Sequence, residues 1–423
     1  MMTASAPILP SPVSGGGIGR GFDPRRLRRE FPIFANNPEL VFLDSAASAQ
    51  KPRAVIDRMA DYYRTDYANV HRGVYRLSAR STELFEEARD KVRRFLNAAD
   101  RREIVFVRNT TEAINLVAQS WGPASLKPGD EVLFSVLEHH SNIVPWQLLR
   151  DRIGIRLVVA PLDATGGLNL GEFEARLSPR TRLVAITQVA NGTGAVVPVE
   201  VVVKLSHRMG AKVLIDGSQA APRMPVDVQA LGCDFYALTG HKVYGPTGIG
   251  ALYGRYDLLA AMPPWQGGGE MILHVTFDKT EYQDPPHRFE AGTPDIAGAI
   301  GLGAALDFIE EVGRDNILEH EEALTGYGVD RLSRIVGLRL LGAGQRRLGI
   351  LSFDLEGVHP HDVAQVLDQQ QVAVRAGHHC AQPLMAWFDL SGTTRASLGA
   401  YNDERDIDRL VAAVEAAQEM FGR

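Results

Sequence analysis

Lys242 is the first residue whose surroundings suggest chemistry. It follows the apolar segment 235–238, which is typical of a buried strand, and it precedes a glycine-rich loop at 245–250. Glycines let the backbone approach a ligand closely, and an amine in such a site can lose its proton and form a Schiff base. The alternative interpretation is a solvated lysine, which is the commoner state of an isolated lysine.

A carboxylate ends a second apolar segment. Residues 212–216 predict a buried strand, and Asp216 closes it. The carboxyl ends of strands in open α/β sheets are where ligands bind, so Asp216 is a candidate ligand contact. An N-cap of the following helix is an equally good interpretation of the same residue.

The segment Asn109-Thr110-Thr111-Glu112 favours an anion. Here a predicted strand at 104–108 runs into the start of a predicted helix at 112–121. Free backbone N–H groups, the helix dipole and two threonine hydroxyls together favour phosphate. The same pattern is also typical of a plain capped helix.

Two adjacent histidines, His139 and His140, follow a predicted strand at 131–136. Neighbouring side chains on an extended chain point apart, so the pair is a poor chelator and we predict no metal site. A flat imidazole beside a planar cofactor is the better functional interpretation, and a surface histidine pair is the alternative.

The chain has two cysteines, and their surroundings differ. Cys380 stands beside Arg375, His378 and His379, and positive neighbours favour the reactive thiolate. Cys233 leads into an apolar strand segment, which indicates a buried structural thiol. Two cysteines cannot build a disulfide framework, so we expect a reducing, cytoplasmic compartment.

The composition excludes several classes of protein. The 423 residues include 45 Lys and Arg against 51 Asp and Glu, a net charge of −6. This balance argues against nucleic acid or an anionic membrane as the main partner. No apolar run approaches the roughly 18 residues that a membrane-spanning helix needs. We therefore expect neither nucleic acid nor membrane as a partner.

Alternating strands and helices must carry these reactive residues. The predicted strands are 104–108, 131–136, 156–161, 182–189, 212–216, 235–238 and 249–253, and the predicted helices between them include 82–96 and 112–121. Strands that alternate with helices indicate an α/β fold with a large, mostly parallel sheet.

After about Thr293 the pattern changes. It predicts helices at 297–312 and 319–335, short strands at 338–341, 349–354, 372–375 and 394–398, and a closing helix at 404–421. We therefore predict a large domain over 23–293 and a smaller α+β domain over 294–423 that carries the Cys380 loop. Residues 1–22 lack periodicity and predict a disordered tail, with an organelle transit peptide as the alternative.

Long motifs then identify a family. They are FLDSAASAQKP at 42–52, NVHRGVYRLS at 69–78, EHHSNIVPWQ at 138–147, TGHKVYGPTGIG at 239–250, RFEAGTP at 288–294, RAGHHCAQP at 375–383 and TRASLGAYN at 394–402. From about residue 31 onward the chain resembles the cysteine desulfurases of the class V aminotransferase family, most closely their group II, SUF-system branch. The resemblance implies fold-type I of the pyridoxal 5′-phosphate (PLP) enzymes, with a seven-stranded sheet in the large domain and an N-terminal segment that contributes to the small domain, in a homodimer.

The resemblance also implies roles for individual residues. Lys242 would hold PLP covalently, Asp216 would pair with its pyridinium nitrogen, and His139 would stack on its ring. Gln219 would contact the phenolic oxygen of PLP, and the phosphate would be held by Thr110, Thr111, Thr239 and His241, with Thr293 of the partner subunit. Asn191 and Arg395 would bind the substrate carboxylate. Arg375 would shape the Cys380 loop, and His71 would line the entrance of the pocket.

The implied reaction converts L-cysteine to L-alanine. Lys242 moves the Cα proton, and the Cys380 thiolate takes the sulfur as a persulfide for iron–sulfur cluster assembly. The implied partner is a sulfur-acceptor protein of the SUF system. The alternatives are a selenocysteine lyase or another PLP-dependent β-eliminating enzyme, and a non-catalytic scaffold of the same fold. The scaffold is disfavoured because Lys242, Asp216 and Cys380 are all present.

One segment departs from the family pattern. Where the family usually has Asn-Val-Leu-Gly-Thr, this chain has Asn191-Gly-Thr-Gly-Ala195. Two turn-prone positions are expected to loosen this loop and to affect the rate or substrate preference.

Overall fold

The computed structural model describes residues 22–342 and 344–421. The predicted tail at 1–22 therefore lies outside the described residues, except for Phe22.

Fifteen strands are present among the described residues, and those that the sequence predicts begin and end within two residues of the predicted bounds. They are β1 Val41–Phe42, β2 Ile104–Val107, β3 Glu131–Ser135, β4 Arg156–Ala160, β5 Thr181–Thr187, β6 Lys212–Asp216, β7 Phe235–Thr239, β8 Gly250–Gly254, β9 Ile272–Val275, β10 Thr280–Tyr282, β11 Leu338–Leu340, β12 Ile350–Leu355, β13 Val372–Ala373, β14 Arg375–Gly377 and β15 Thr393–Ser397. The predicted strand at 372–375 is divided into β13 and β14 at Val374.

The described helices surround and connect these strands. They are α1 Pro24–Arg28, α2 Pro32–Asn36, α3 Arg53–Asp61, α4 Arg76–Leu96, α5 Thr110–Leu116, α6 Gly122–Ser125, α7 Val144–Ile153, α8 Leu170–Arg176, α9 Val199–Arg208, α10 Val228–Leu231, α11 Tyr256–Ala261, α12 Ile296–Val312, α13 Arg314–Leu332, α14 Pro360–Gln369, α15 Gln382–Trp387 and α16 Glu404–Met420. None of these described helices is long and apolar enough to cross a membrane.

The predicted helix at 112–121 takes a different form. The α-helix ends at Leu116, and a wider π-helical turn follows over Val117–Trp121 before α6 begins. Pro123 in α6 has no N–H, so a regular ladder of hydrogen bonds cannot continue through it.

The predicted α/β fold is confirmed. Seven strands form one sheet in the order β2-β8-β7-β6-β5-β3-β4, in which only β8 runs antiparallel to its neighbours. Alternate residues of each strand enter separate apolar clusters, such as Val184 and Ile186 on one side and Leu183 and Ala185 on the other. Burial on both faces fixes the register, because a slip of one residue would exchange the two faces.

A second sheet, in the order β11-β12-β15-β14, is antiparallel throughout. The N-terminal segment joins this region, since β1 pairs with β13 and Asp44 forms a bridge with Ser397. Val41 and Leu43 also belong to the apolar cluster beneath this sheet.

The long helix α12 packs on α3 and α4, and its apolar residues join the cluster that covers the large sheet. The next helix, α13, packs instead against α16 and β12. The packing therefore changes after α12, later in the chain than the predicted boundary at 293.

Candidate active site

A cavity of about 230 Å³ lies at the carboxyl edge of the seven-stranded sheet and is lined by residues of both sheets. Segments that follow β2, β3, β5, β6 and β7 form one part of its wall, and β14, β15 and the Cys380 loop form the other. It brings together these predicted site residues: Thr110, Thr111, His139, Asn191, Asp216, Gln219, Thr239, His241, Lys242, Arg375, Cys380 and Arg395.

Lys242 and Asp216 enter the cavity from neighbouring parallel strands. Asp216 ends β6, and Lys242 ends the short 3-10 turn after β7, which Gly240 anchors by donating to the Ile249 carbonyl over 2.8 Å. Burial lowers the pKa of Lys242 to about 8, although the Asp216 carboxylate opposes this shift. A neutral, nucleophilic amine is therefore accessible near neutral pH.

The Asp216 loop is joined to the start of α5. The Asp216 carboxylate accepts a hydrogen bond from the Ser218 N–H over 2.9 Å, and the Ser218 hydroxyl donates to Thr110 Oγ1 over 2.8 Å. The predicted anion seat and the carboxylate are thus parts of one hydrogen-bonded unit.

The threonines at the start of α5 remain available to a ligand because another residue caps the helix. The Asn109 side chain accepts from the Glu112 N–H over 3.0 Å, so the capped-helix interpretation is also correct. Thr239 Oγ1 is buried in the same wall and has no hydrogen-bond partner within the described residues. A phosphate oxygen would satisfy this hydroxyl.

The His139 ring is fixed in orientation and uncharged. Its Nδ1 accepts from the Ser141 N–H over 3.1 Å and lies 2.8 Å from the Ser141 hydroxyl. Burial, followed by the nearby Lys242, lowers the pKa of His139 to about 4. A neutral, oriented ring of this kind can cover a planar cofactor.

Gln219 presents an N–H group to the cavity. Its Nε2 donates to the Ala46 carbonyl over 2.8 Å, and its Oε1 accepts from Arg223 Nη1 over 3.0 Å. With the oxygen already engaged, the second amide proton is the group left for a ligand oxygen.

Arg395 of β15 is buried where the two walls meet, against Asn191 of the segment that follows β5. Arg395 Nη1 donates to the Asn191 carbonyl over 3.0 Å, and Nη2 lies 3.3 Å from the Asp44 carboxylate. Arg395 Nε and Asn191 Oδ1 have no partner among residues 22–342 and 344–421. A buried guanidinium with a free N–H suits a carboxylate ligand.

Lys51, a residue without a predicted role, supports the turn that carries Lys242. Lys51 Nζ donates to the His241 carbonyl over 3.0 Å, as does the Ala49 N–H. Burial lowers the pKa of Lys51 to about 8 and that of His241, beside Lys242, to about 4. His241 is therefore neutral at pH 7.

The two cysteines differ in burial, and Cys233 is buried as the sequence predicts. Cys233 is 1% exposed, and burial raises the pKa of its thiol well above the usual value. Cys380 is half-buried at the cavity, and its backbone has a left-handed φ of 55°. Its N–H donates to His378 Nδ1 over 3.1 Å, and its carbonyl accepts from the His140 N–H over 2.8 Å.

Two predicted site residues lie elsewhere in the chain. His71 contacts Glu86 over 3.1 Å and the ring of His287, and it does not line this cavity. Thr293 lines a separate cavity of about 470 Å³ together with Trp265. Neither residue lines the first cavity within this chain.

The expected loosening of the loop at 191–195 is wrong. The loop is a buried turn in which the Gly194 N–H donates to the Ala190 carbonyl over 2.8 Å, and the Gly194 carbonyl accepts from Leu348. Gly194 has a φ of +79°, which a glycine adopts without strain. The glycines thus permit a tight turn.

Sequence reasoning gave no individual role to several residues of the cavity wall: Ala46, Ala47, Asn109, Ser218 and His379. Asn109, Ser218 and His379 each lie within two residues of Thr110, Asp216 or Cys380, and that proximity was the available signal. Ala46 and Ala47, like Asp44 and Lys51, lie in the motif at 42–52, where no single residue suggested a role in the cavity.

The residues present fit PLP. An amine, a carboxylate, a flat neutral ring and a buried unpartnered hydroxyl surround one cavity. In the described part of the chain, no three His, Cys, Asp or Glu side chains converge in a way that could hold a metal ion.

Comparison with known proteins agrees with this arrangement. The family model described as aminotransferase class-V matches residues 41–410. A cysteine desulfurase of Synechococcus elongatus is 50% identical over 421 residues, which are 99% of this chain and 67% of that protein. A cysteine desulfurase of Dickeya dadantii is 51% identical over 401 residues, 94% of this chain and 97% of that protein. The chain thus spans about two thirds of the first relative and nearly all of the second.

Solved structures give the same result. The crystal structure of the cysteine desulfurase CsdA from Escherichia coli has a TM-score of 0.88 at 42% identity and covers 94% of this chain and 99% of that chain. A cysteine desulfurase from Thermococcus onnurineus has a TM-score of 0.89 at 37% identity and covers 94% and 98%. With the fold, the cavity and these relatives in agreement, the chain belongs to the class-V aminotransferase family, as a homologue of its PLP-dependent cysteine desulfurases.

Proposed function

We propose that this protein is a cysteine desulfurase, a sulfurtransferase that converts L-cysteine to L-alanine and collects the sulfur as a persulfide on Cys380. The observation that carries the proposal is the meeting of Lys242, Asp216 and Cys380 at one cavity. The similarity to cysteine desulfurases along almost the whole chain supports it.

PLP would be held by Lys242, Asp216, Gln219 and His139, with its phosphate at Thr110, Thr111, Thr239 and His241. When bound, it supplies an electron sink that stabilises negative charge at the substrate Cα and lets sulfur leave Cβ. The partner subunit's Thr293 completes the phosphate seat in a homodimer.

The substrate is oriented by its carboxylate, which the buried Arg395 and Asn191 receive. Lys242 Nζ then moves the Cα proton, a role for which its pKa of about 8 suits it near neutral pH. Asp216 would balance the positive charge on the pyridinium nitrogen of PLP.

Cys380 takes the sulfur from the substrate. Its Sγ attacks the substrate sulfur, so that an S–S bond forms and the Cβ–S bond breaks with its electron pair left on carbon. A proton then joins Cβ, and alanine leaves. The carbon is reduced while the sulfur pair is oxidised, and no external oxidant is needed.

The persulfide is passed to an acceptor protein of the SUF type for iron–sulfur cluster assembly in the cytosol. The position of Cys380 supports this step, because the residue lines the cavity and is only partly buried.

Mass spectrometry after incubation with L-cysteine tests the proposal. We expect one extra sulfur atom on the peptide that contains Cys380, together with stoichiometric alanine. Sulfur on Cys233, or alanine formed without sulfur on Cys380, would contradict the assignment.

A further inference from the structure

The backbone at Cys380 is in a conformation that needs external support. His379 and Cys380 have φ values of 52° and 55°, in the left-handed region that residues with a side chain rarely adopt. Two such residues in succession persist only when the surrounding contacts hold them.

His140 supplies two of those contacts from the other wall of the cavity. Its backbone N–H donates to the Cys380 carbonyl over 2.8 Å. Its ring Nε2 accepts from the Gln382 N–H over 3.0 Å. His140 therefore holds the loop at Cys380 itself and again two residues later, at Gln382.

The ring contact also defines the chemical state of His140. Nε2 accepts from a backbone N–H, so the ring proton must be on Nδ1 and the ring must be neutral. Burial, with the His378 ring 5.6 Å away, lowers the pKa of His140 and keeps that state at neutral pH.

The adjacent histidines thus have separate tasks. His139 lines the cavity, whereas His140 turns away from it towards Gln382, as alternate side chains of an extended chain do. Neither the cofactor nor the substrate needs to contact His140.

We infer that His140 is a positioning residue that holds the Cys380 loop over the cavity through its neutral ring. The inference takes from the proposed function only that Cys380 is the sulfur acceptor. The ring hydrogen bond itself exists without cofactor or substrate.

The experiment measures how fast iodoacetamide alkylates Cys380 in the protein without L-cysteine, at one pH, with the modified peptide located by mass spectrometry. His140→Phe removes the ring acceptor while keeping a flat ring of similar shape. We expect the alkylation rate of Cys380 to rise about fivefold, because the loss of one neutral hydrogen bond shifts the opening equilibrium of the loop by about that factor. In His140→Gln the amide oxygen replaces Nε2 as acceptor, and the rate should stay within about twofold of the original.

The exposed His361 offers a matched control, and His361→Phe should leave the Cys380 rate unchanged. If His140→Phe does not fold, His140→Asn replaces it, because its amide is too short to reach the position of Nε2. The same rise is expected there.

A kinetic measurement separates positioning from a general loss of structure. In His140→Phe, kcat for alanine formation should fall about tenfold with KM for L-cysteine within about twofold, and His140→Gln should restore it. Equal alkylation in His140→Phe and the original protein, or equal losses in His140→Gln and His140→Phe, would overturn the inference. These alkylation results are independent of whether L-cysteine is the substrate.

Discussion

The two walls of the cavity are built in different ways. Lys242 and Asp216 follow parallel strands whose register is fixed by burial on both faces of the sheet. Cys380 lies instead in a loop with left-handed backbone, held by residues 140 and 191 of the opposite wall. The sheet wall is therefore pre-formed by the fold, whereas the loop wall depends on a few polar contacts.

Removing the amine of the sheet wall should have the largest effect. Lys242→Ala should lower alanine formation by at least about 10³-fold, because it loses both the covalent anchor and the proton carrier. Alanine release and the visible absorbance of the bound cofactor measure this. Alkylation of Cys380 should stay within about twofold, since the loop wall keeps its contacts.

Lys204→Ala is the control, because that lysine is exposed and does not line the cavity. Alanine formation by Lys242→Ala at the original rate would contradict the proposed role.

Removing the Cys380 thiol of the loop wall should have the second-largest effect on alanine formation. In Cys380→Ala, alanine formation from L-cysteine should fall about 100-fold while cofactor absorbance is unchanged. Formation from L-selenocysteine should fall less, because selenium leaves carbon more readily than sulfur. Comparing the two substrates by alanine release also distinguishes a desulfurase from a selenocysteine lyase.

The buried thiol is the matched control for that variant. Cys233→Ala should retain sulfur uptake on Cys380, and a failure to take up sulfur would contradict the unequal roles of the two cysteines.

Arg395 joins the two walls, and its guanidinium geometry can be tested. Arg395→Lys keeps the charge but loses the planar fork, so KM for L-cysteine should rise about 30-fold. Steady-state kinetics measure this, with the exposed Arg346→Lys as control. An unchanged KM would contradict a role of Arg395 in substrate binding.

The pKa of Lys242 predicts how the cofactor-free protein captures PLP. Only the neutral amine reacts, and a pKa of about 8 gives about one tenth neutral amine at pH 7 and about nine tenths at pH 9. The capture rate, followed by absorbance, should therefore rise about tenfold over this interval and then level off.

Asp216→Asn sharpens this test. The Asp216 carboxylate raises the pKa of Lys242, so its loss should move the midpoint to lower pH. A midpoint that moves upward, or a flat profile, would contradict the electrostatic account.

The smallest effect is expected next to the loop wall. A Cβ on Gly192 would lie 2.5 Å from Leu384 Cδ2 in α15, the helix that follows Cys380. Gly192→Ala should therefore lower the free energy of unfolding by about 1 kcal/mol, as denaturant unfolding would show. Gly326→Ala, where a Cβ meets open space within α13, should not lower it.

The sheet wall was largely predictable from the sequence. Asp216 and Lys242 were found because polar residues follow apolar strands, and parallel strands bring their carboxyl ends to one edge. Local patterns are sufficient there, because the strand itself determines where its last residue lies.

The loop wall was predictable only in part. The positive neighbours marked Cys380, but the contact of His140 with Gln382 joins residues 242 positions apart. Local sequence carries no signal for such a pairing. The same reason explains the missed contact of Asp44 with Arg395 and the wrong expectation about the turn at 191–195, whose packing partners are distant.

The contact between Asp44 and Arg395 has a consequence for the order in which the cavity forms during synthesis. Asp44 contacts Arg395 across 351 positions of the chain, so the side of the cavity that contains Arg395 cannot be completed until β15 has emerged from the ribosome. The strands that carry Asp216 and Lys242 are synthesised well before that point. A nascent chain can therefore assemble the wall with Asp216 and Lys242 first, and the wall with Arg395 forms only when the last of the cavity strands packs against the segment that contains Asp44.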